Sequence, residues 1–422
     1  MFKKIKNLLF ENQSLKQRIF KNAFWLFSGQ IFGRLIRVAI VIYAARILGP
    51  ASWGAFSYAM SFAAFMLIFS DLGINAIVTK EASRNIEMAK KYFSTAFFIK
   101  LILLIIGVLI LFVAPNLTNL EEAKQLLPLI SFILIFDSLR NFGFSISRAH
   151  EKMEIEGLNE IATNFFITLF GFIALKINGT SQSLTIAYSA AIMLGFLLIA
   201  FQLRHYFKEV INNFDFNLIK PILETAWPFA LAGSLGAIMI NTDTIIIGWF
   251  RSAAEVGYYS AAQRPVQLLY VLPTLFAASL FPSLSRMAKE KMDSFKEVLK
   301  NAIKISLIVA IPITIFGIIF GSQIINLLFG QDYQSATLSF QILMLTILVI
   351  FPSAIIANAN LAADQQKNFI IFSAIGAIGN IILDLLLIPK WGIAGSSFAT
   401  LVTQIIANSF IWFKMKKLIE ST

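Results

Sequence analysis

The chain has 422 residues, 58% hydrophobic and only 14% charged, with a formal charge of +12 and no cysteine. A soluble domain carries roughly a quarter charged residues because its surface meets water, so a water-facing globular fold is excluded. Disulfides, zinc–thiolate clusters and thiol nucleophiles are excluded with the cysteines. The Lys and Arg are dispersed over short segments, which argues against a nucleic-acid surface, and the two histidines, His150 and His205, sit in charged stretches unsuited to a metal site.

A helix crossing hydrocarbon needs about 20 predominantly apolar residues. Residues 1–21 come first: Ile5, Leu8, Leu9, Leu15 and Ile19 line one helical face, and Lys3, Lys4, Lys6 and Lys16 the other. That pattern predicts a cytoplasmic segment lying in the headgroup layer against anionic lipid. The run that follows is too long for a secretory leader, contains Arg34 and Arg37, and lacks a small-residue cleavage site, so it is the first span. Apolar runs then predict about twelve spans, at 22–45, 53–72, 93–113, 126–147, 158–175, 184–203, 225–249, 258–284, 302–321, 336–358, 368–388 and 391–413. None alternates as the strands of a membrane barrel do. The expected fold is an all-α polytopic membrane protein: a six-helix lobe over 22–203, a cytoplasmic linker over 204–224, a second lobe over 225–413 and a tail over 414–422. Met292, Phe295 and Leu299, set among Lys289, Lys291, Lys296 and Lys300, predict a second stretch resting on lipid headgroups. Pro265, Pro273, Pro312 and Pro352 fall inside spans, where proline bends a helix.

Basic residues set the orientation. With a cytoplasmic N-terminus, only Arg46, Lys124, Lys176, Arg251 and Lys390 of the 35 Lys and Arg fall in outside loops, while Arg34, Arg37, Lys100, Arg140 and Arg264 fall inside spans. The remainder are cytoplasmic, which places both termini inside.

The two halves repeat at an offset of 203: Gly33 matches Gly236 and Gly54 matches Gly257. An even number of spans lies within that offset, so the repeat is parallel, with its axis along the membrane normal. The Leu48-Gly49-Pro50 turn with Trp53-Gly54-Ala55-Phe56-Ser57, the Asp71-Leu72-Gly73-Ile74 corner, Val256-Gly257-Tyr258-Tyr259-Ser260-Ala261-Ala262 and Leu328-Phe329-Gly330-Gln331-Asp332-Tyr333 occur in order at loop positions. Together they resemble the O-antigen (Wzx-type) flippases of the multidrug/oligosaccharidyl-lipid/polysaccharide exporter superfamily. The resemblance implies a V-shaped two-lobe transporter in a bacterial or archaeal cytoplasmic membrane. It also implies a substrate, undecaprenyl-diphosphate-linked oligosaccharide, moved to the outer leaflet by alternating access, with polysaccharide biosynthesis proteins as possible complex partners and no cofactor.

Charge inside the bilayer costs from a few to more than ten kcal/mol and persists where it is paired, hydrated or functional. Arg34 lies near the midplane of the first span, and Arg37 is one turn further on the same face. Guanidinium pairs suit a diphosphate; carboxylates on other helices are the competing partners. Lys100, Arg140 and Arg264 are further candidates for the anionic substrate. Against them stand an intrahelical Asp137–Arg140 pair, a Lys100 stem that snorkels to the headgroups, and an Asp243–Arg264 pair. Asp71 and Asp384 are expected to be boundary or helix-contact residues. Asp243 with Asn241 and Thr244 offers oxygens for Na⁺, or a proton site. In the repeat, Arg34, Arg37 and Asp243 correspond to Ala237, Ile240 and Ile40, so the scaffold does not need those charges at those places. The first lobe is expected to hold the anionic head and the second a coupling cation.

The absence of a GxxxxGK[ST] stretch argues against ATP hydrolysis by this chain. Two other functions compete with the flippase. A drug or metabolite cation antiporter of the same fold favours buried carboxylates facing its substrate, and a membrane-embedded polysaccharide polymerase needs a sizeable outside loop that the span pattern does not provide.

Overall fold

The computed structural model describes residues 10, 11, 14–85, 87–290, 292–365 and 367–421, and these are helical with short turns and no strand. In chain order the helices are α1 (Leu15–Phe69), α2 (Ile74–Arg84), α3 (Ala89–Val113), α4 (Glu121–Ala149), α5 (Met153–Ile177), α6 (Ser181–Gln202) and α7 (Arg204–Lys208). They continue as α8 (Ile219–Phe250), α9 (Ala253–Leu269), α10 (Val271–Glu290), α11 (Met292–Ile319), α12 (Gly321–Phe329), α13 (Thr337–Ala362) and α14 (Lys367–Ser421). Most of the expected interfacial segment 1–21, including Ile5, Leu8, Leu9 and Lys3, Lys4 and Lys6, lies outside the described residues.

Eight helical stretches are individually long and apolar enough to cross a bilayer, and two bent pairs pass together, Gln17–Phe69 with Ile74–Arg84 and Phe216–Leu231 with Gly233–Phe250. Two of these ten, α1 and α14, are 55 residues each, about 80 Å at 1.5 Å per residue. One crossing of the hydrocarbon takes only about 30 Å. Each rod breaks at a glycine outside helical geometry, Gly49 (φ 71°) and Gly392 (φ 56°), with a proline close by at Pro50 and Pro389. Positive φ is costly for any residue with a Cβ, and proline resists continuing a helix. Each rod therefore supplies two limbs, one on either side of its break.

The chain forms two compact units, Met1–Leu48 with Ala59–Ser234, and Gly49–Tyr58 with Leu235–Thr422. The first unit is built on α4, which packs against α2, α3, α5 and α6. The second is built on α13, which packs against α9, α10, α11 and α14. These two are the most enclosed spans, 61% and 56% buried, and each is the fourth of its half, as a repeat requires. Their outer neighbours turn long apolar side chains such as Ile102, Ile105 and Leu109 of α3 and Ile308, Phe316 and Ile319 of α11 outward, where lipid replaces water.

One expectation is corrected. Phe295 and Leu299 of α11 are buried among Ala277, Leu284, Ile355 and Ile411, and Met292 packs against the same cluster. That apolar face meets protein instead of lipid headgroups, because α10 and α13 already stand beside it.

Candidate functional site

Two carboxylates meet inside the second unit. Asp243 comes from α8 and Asp384 from the first limb of α14, and they are 1% and 0% exposed. Asp243 Oδ2 accepts hydrogen bonds from the Tyr259 hydroxyl on α9 and from Thr400 Oγ1 on the second limb of α14, the latter at 3.0 Å. Asp384 lies against Asp243, with Asn380 beside Asp243 and Ser396 beside Asp384. Asp243 Oδ1, both Asp384 oxygens, Asn380 Oδ1, Ser396 Oγ and Thr403 Oγ1 are buried without a hydrogen-bond partner among the described residues. Just past the end of α8, the Arg251 guanidinium donates to Ile388 O and Pro389 O at 3.0–3.1 Å, pinning α8 to the break in α14.

Two adjacent buried carboxylates cannot both remain ionised unless something positive lies between them. The donor set is entirely oxygen, which suits a hard cation or a shared proton. Among the described residues no group of three His, Cys, Asp or Glu is clustered, so the set is not one that favours a transition metal.

This site differs from the sequence reading in its partners. Asn241 donates to Ala237 O of its own helix at 3.0 Å, and Thr244 is buried one residue past Asp243. The oxygens around Asp243 come instead from α9 and α14. Asp384 is fully buried against Asp243 of another helix, the helix-contact alternative of the expectation. The Asp243–Arg264 pair gives way to another arrangement: Arg264 donates to Ser260 Oγ at 2.9 Å and Ser57 Oγ at 3.5 Å, and its guanidinium lies 4.7 Å from the Trp53 ring centre. A signal was present in the sequence. Asn380 and Asp384 are four apart, and Ser396, Thr400 and Thr403 follow at helical spacing, so each limb of an apolar hairpin carries one polar stripe.

The first unit holds the other candidates. Lys100 is fully buried, and its Nζ donates to Asp71 Oδ1 at 3.1 Å, Asn75 Oδ1 at 3.3 Å and Ser70 O at 3.5 Å. It does not snorkel, because Asp71 at the α1–α2 corner reaches it within the protein. Arg140 forms the intrahelical pair with Asp137 at 2.7 Å and also meets Glu160 of α5 at 3.3 Å and Asn159 Oδ1 at 3.4 Å. Glu160 was missed: it sits in a run otherwise read as a plain span, and its charge lowers the positive excess of the first half. It accepts from the amide of Asn164 at 3.4 Å, and Asn164 Oδ1 accepts from Arg37 Nε at 2.6 Å. A polar chain thus runs from Arg37 through Asn164 and Glu160 to Arg140 and Asp137.

Arg34 is exposed on the same face of α1, one turn from Arg37. Among the described residues neither has a carboxylate within 4 Å, whereas Lys100, Arg140 and Arg148 each do. The two arginines therefore retain the capacity to bind an anion that Lys100, Arg140 and Arg148 have spent on side chains.

Comparison with known proteins agrees with this anatomy. Residues 19–288 match the family described as "Polysaccharide biosynthesis protein", and residues 228–389 match the MatE family. The chain is 24% identical to the "Probable low-salt glycan biosynthesis flippase Agl15" of Haloferax volcanii, over 89% of this chain and 79% of that one. It is 21% identical to the "Capsular polysaccharide biosynthesis protein CapF" of Staphylococcus aureus, over 94% and 99%. Among solved structures, the lipid II flippase MurJ in an inward closed conformation superposes with a TM-score of 0.76 at 21% identity, covering 93% of this chain and 87% of that one. An inward-facing multidrug resistance MATE transporter does so with a TM-score of 0.76 at 15% identity, covering 94% and 98%. These likenesses show the transporter fold, and the relatives' names are those of flippases and biosynthesis proteins, not of enzymes.

Proposed function

The chain belongs to the polysaccharide biosynthesis protein family, and we propose that it is a flippase for a lipid-linked glycan. In this reading the substrate is an undecaprenyl-diphosphate-linked oligosaccharide, carried by alternating access from the cytoplasmic to the outer leaflet of the cytoplasmic membrane, with both termini inside. The observation that carries the proposal is the Arg34–Arg37 face, two guanidiniums one turn apart with no carboxylate partner among the described residues. A diphosphate supplies both the missing charge and the acceptors. Desolvating even one small ion ideally costs on the order of 20 kcal/mol, so an anionic head needs such a face while its lipid tail stays in the bilayer.

The Asp243–Asp384 site is read as the coupling site, taking Na⁺ or H⁺. The membrane potential, negative inside, adds about 2.3 kcal/mol per charge per 100 mV to outward movement of an anion. The drug-antiporter reading places buried carboxylates against an organic cation, but Asp243 and Asp384 are 1% and 0% exposed, enclosed enough for a bare ion and no more. In cells whose glycan export depends on this chain, Arg34→Glu with Arg37→Glu abolishes export while the protein still reaches the membrane. Normal export by that double variant overturns the proposal.

A further inference from the structure

The first unit contains a cavity of about 270 Å³ under the α1–α2 corner, with all of its walls in that unit. Its polar walls are Asp71, Asn75, Ser138, Asn141 and Arg148, with Lys100 at the base and Phe229 of α8 on one side. The corner is unusually shaped: Leu72 and Gly73 both have positive φ, at 41° and 77°, and such outliers gather where a site must be held open. Phe229 is set by Gly73, since a Cβ there would lie 2.8 Å from Phe229 Cβ.

The chemistry of the wall decides the occupant. Lys100 has three N–H donors, and all three are taken by Asp71, Asn75 and Ser70 O. Arg148 gives Nε and Nη2 to Glu156 at 2.7 and 2.6 Å. Each cation thus carries its own carboxylate, and a phosphate placed here would meet Asp71 without a free charge to offset it.

Four polar groups of the lining residues make no hydrogen bond among the described residues: the second oxygen of Asp71, the amide nitrogen of Asn75, the amide oxygen of Asn141 and Nη1 of Arg148. The Asn141 nitrogen is already bonded to Asp137 O at 2.8 Å, which fixes its oxygen as the free end. Two donors and two acceptors with no net charge suit hydroxyl groups, which both give and accept. The Phe229 ring, 48% exposed, offers an apolar face for the C–H side of a ring. The volume is below the roughly 300–1,000 Å³ of sites for drug-sized molecules, so one ring fits and a chain of them does not.

We propose that this cavity binds a single neutral, hydroxyl-rich sugar ring. It lies at the end of the unit that carries the Lys90–Glu209, Lys91–Asp215 and Arg148–Glu156 pairs, the cytoplasmic end in the proposed orientation, where a lipid-linked glycan starts its passage. Its assignment to the carried glycan rests on the flippase reading; its assignment to a sugar does not.

The chain has no cysteine, so one introduced thiol reports on one place. Leu67 lines the cavity and Ser83 is exposed on α2. The full-length Leu67→Cys protein is alkylated with a small maleimide in the presence of glucose, mannose, N-acetylglucosamine or rhamnose, with Ser83→Cys as control. At least one sugar slows alkylation of Leu67→Cys, by about tenfold when its concentration exceeds the dissociation constant by about that factor. It leaves Ser83→Cys unaffected, and Phe229→Ala or Asn141→Ala removes the protection. No protection by any of the four, or equal protection by inorganic diphosphate, overturns the proposal. Protection by an isoprenyl-diphosphate-linked sugar at far lower concentration than by the free sugar identifies the occupant as the head of the carried molecule. Protection by free sugars in a protein that moves no lipid-linked glycan in liposomes overturns the flippase reading and leaves the sugar site standing.

Discussion

Ser57 and Ser260, 203 residues apart, face each other and share a hydrogen bond of 3.0 Å. That separation is the offset of the internal repeat read in the sequence, and both residues lie in the second compact unit. The neighbouring equivalents, Gly54 and Gly257, cross so closely that a Cβ on Gly54 would lie 1.8 Å from Ala253 O, and one on Gly257 2.0 Å from Pro50 O.

The crossing predicts two variant phenotypes. Gly54→Ala or Gly257→Ala forces backbone against backbone and destabilises the protein by about 3 kcal/mol, measured as a lower unfolding temperature in detergent. Ser57→Cys with Ser260→Cys, in a chain without other cysteines, cross-links on oxidation and stops transport until a reductant is added. Free thiols after oxidation would place these residues apart.

The carboxylate pair predicts a ligand-dependent stability. A cation that binds the folded site at 100 times its dissociation constant adds about 2.7 kcal/mol. Wild-type protein therefore unfolds at higher temperature in Na⁺ than in choline if Na⁺ is the coupling ion. If the ion is H⁺, the shift follows pH and ignores Na⁺. Asp384→Asn removes the response in either case, because one carboxylate no longer needs a second neutralising charge. A full response retained in Asp384→Asn contradicts the site.

The Lys100–Asp71 pair predicts an asymmetry. Asp71 is 31% exposed at its side chain and Lys100 is not exposed at all. Asp71→Asn leaves a fully buried ammonium without its counter-charge, which costs roughly 3 kcal/mol. Lys100→Met leaves a carboxylate that water still reaches, and costs less. Equal losses by thermal unfolding would show that burial does not govern this pair.

A pH effect is expected at the corner after α4, cytoplasmic in the proposed orientation. His150 Nε2 and the Tyr206 hydroxyl are 2.6 Å apart, and burial, with Lys152 nearby, holds the imidazole below its ordinary range. A base whose pKa is lowered by folding contributes stability above its unfolded value that is lost as pH falls through the folded one. Unfolding temperature therefore drops on acidification below about pH 6.5, and His150→Gln flattens that part of the profile.

Much of the architecture was legible in the sequence because lipid leaves a coarse signal. Apolar runs gave the spans, and the Leu48-Gly49-Pro50 turn and the span boundary between 388 and 391 fall where the long rods break. That the scaffold does not need Arg34 and Arg37 was also visible, since their repeat twins Ala237 and Ile240 carry no charge, but whether a carboxylate met them was not. The partners of Asp243 were not. Asp384 and Thr400 are more than a hundred residues away, and only packing of α14 against α8 joins them. Glu160 escaped notice for a related reason: one carboxylate near the start of an apolar run reads as a helix end until Arg140 is found 3.3 Å from it.

The most direct test is movement itself. Purified protein is reconstituted in liposomes with a fluorescent isoprenyl-diphosphate sugar, and protection of the fluorophore from a membrane-impermeant quencher is followed over time. Wild-type protein exchanges the probe between leaflets, and Arg34→Gln with Arg37→Gln slows exchange at least about a hundredfold, the loss of two charge-assisted contacts at about 1.4 kcal/mol each. Exchange that is unchanged in the double variant, or absent in the wild type while a small organic cation is transported, contradicts the account.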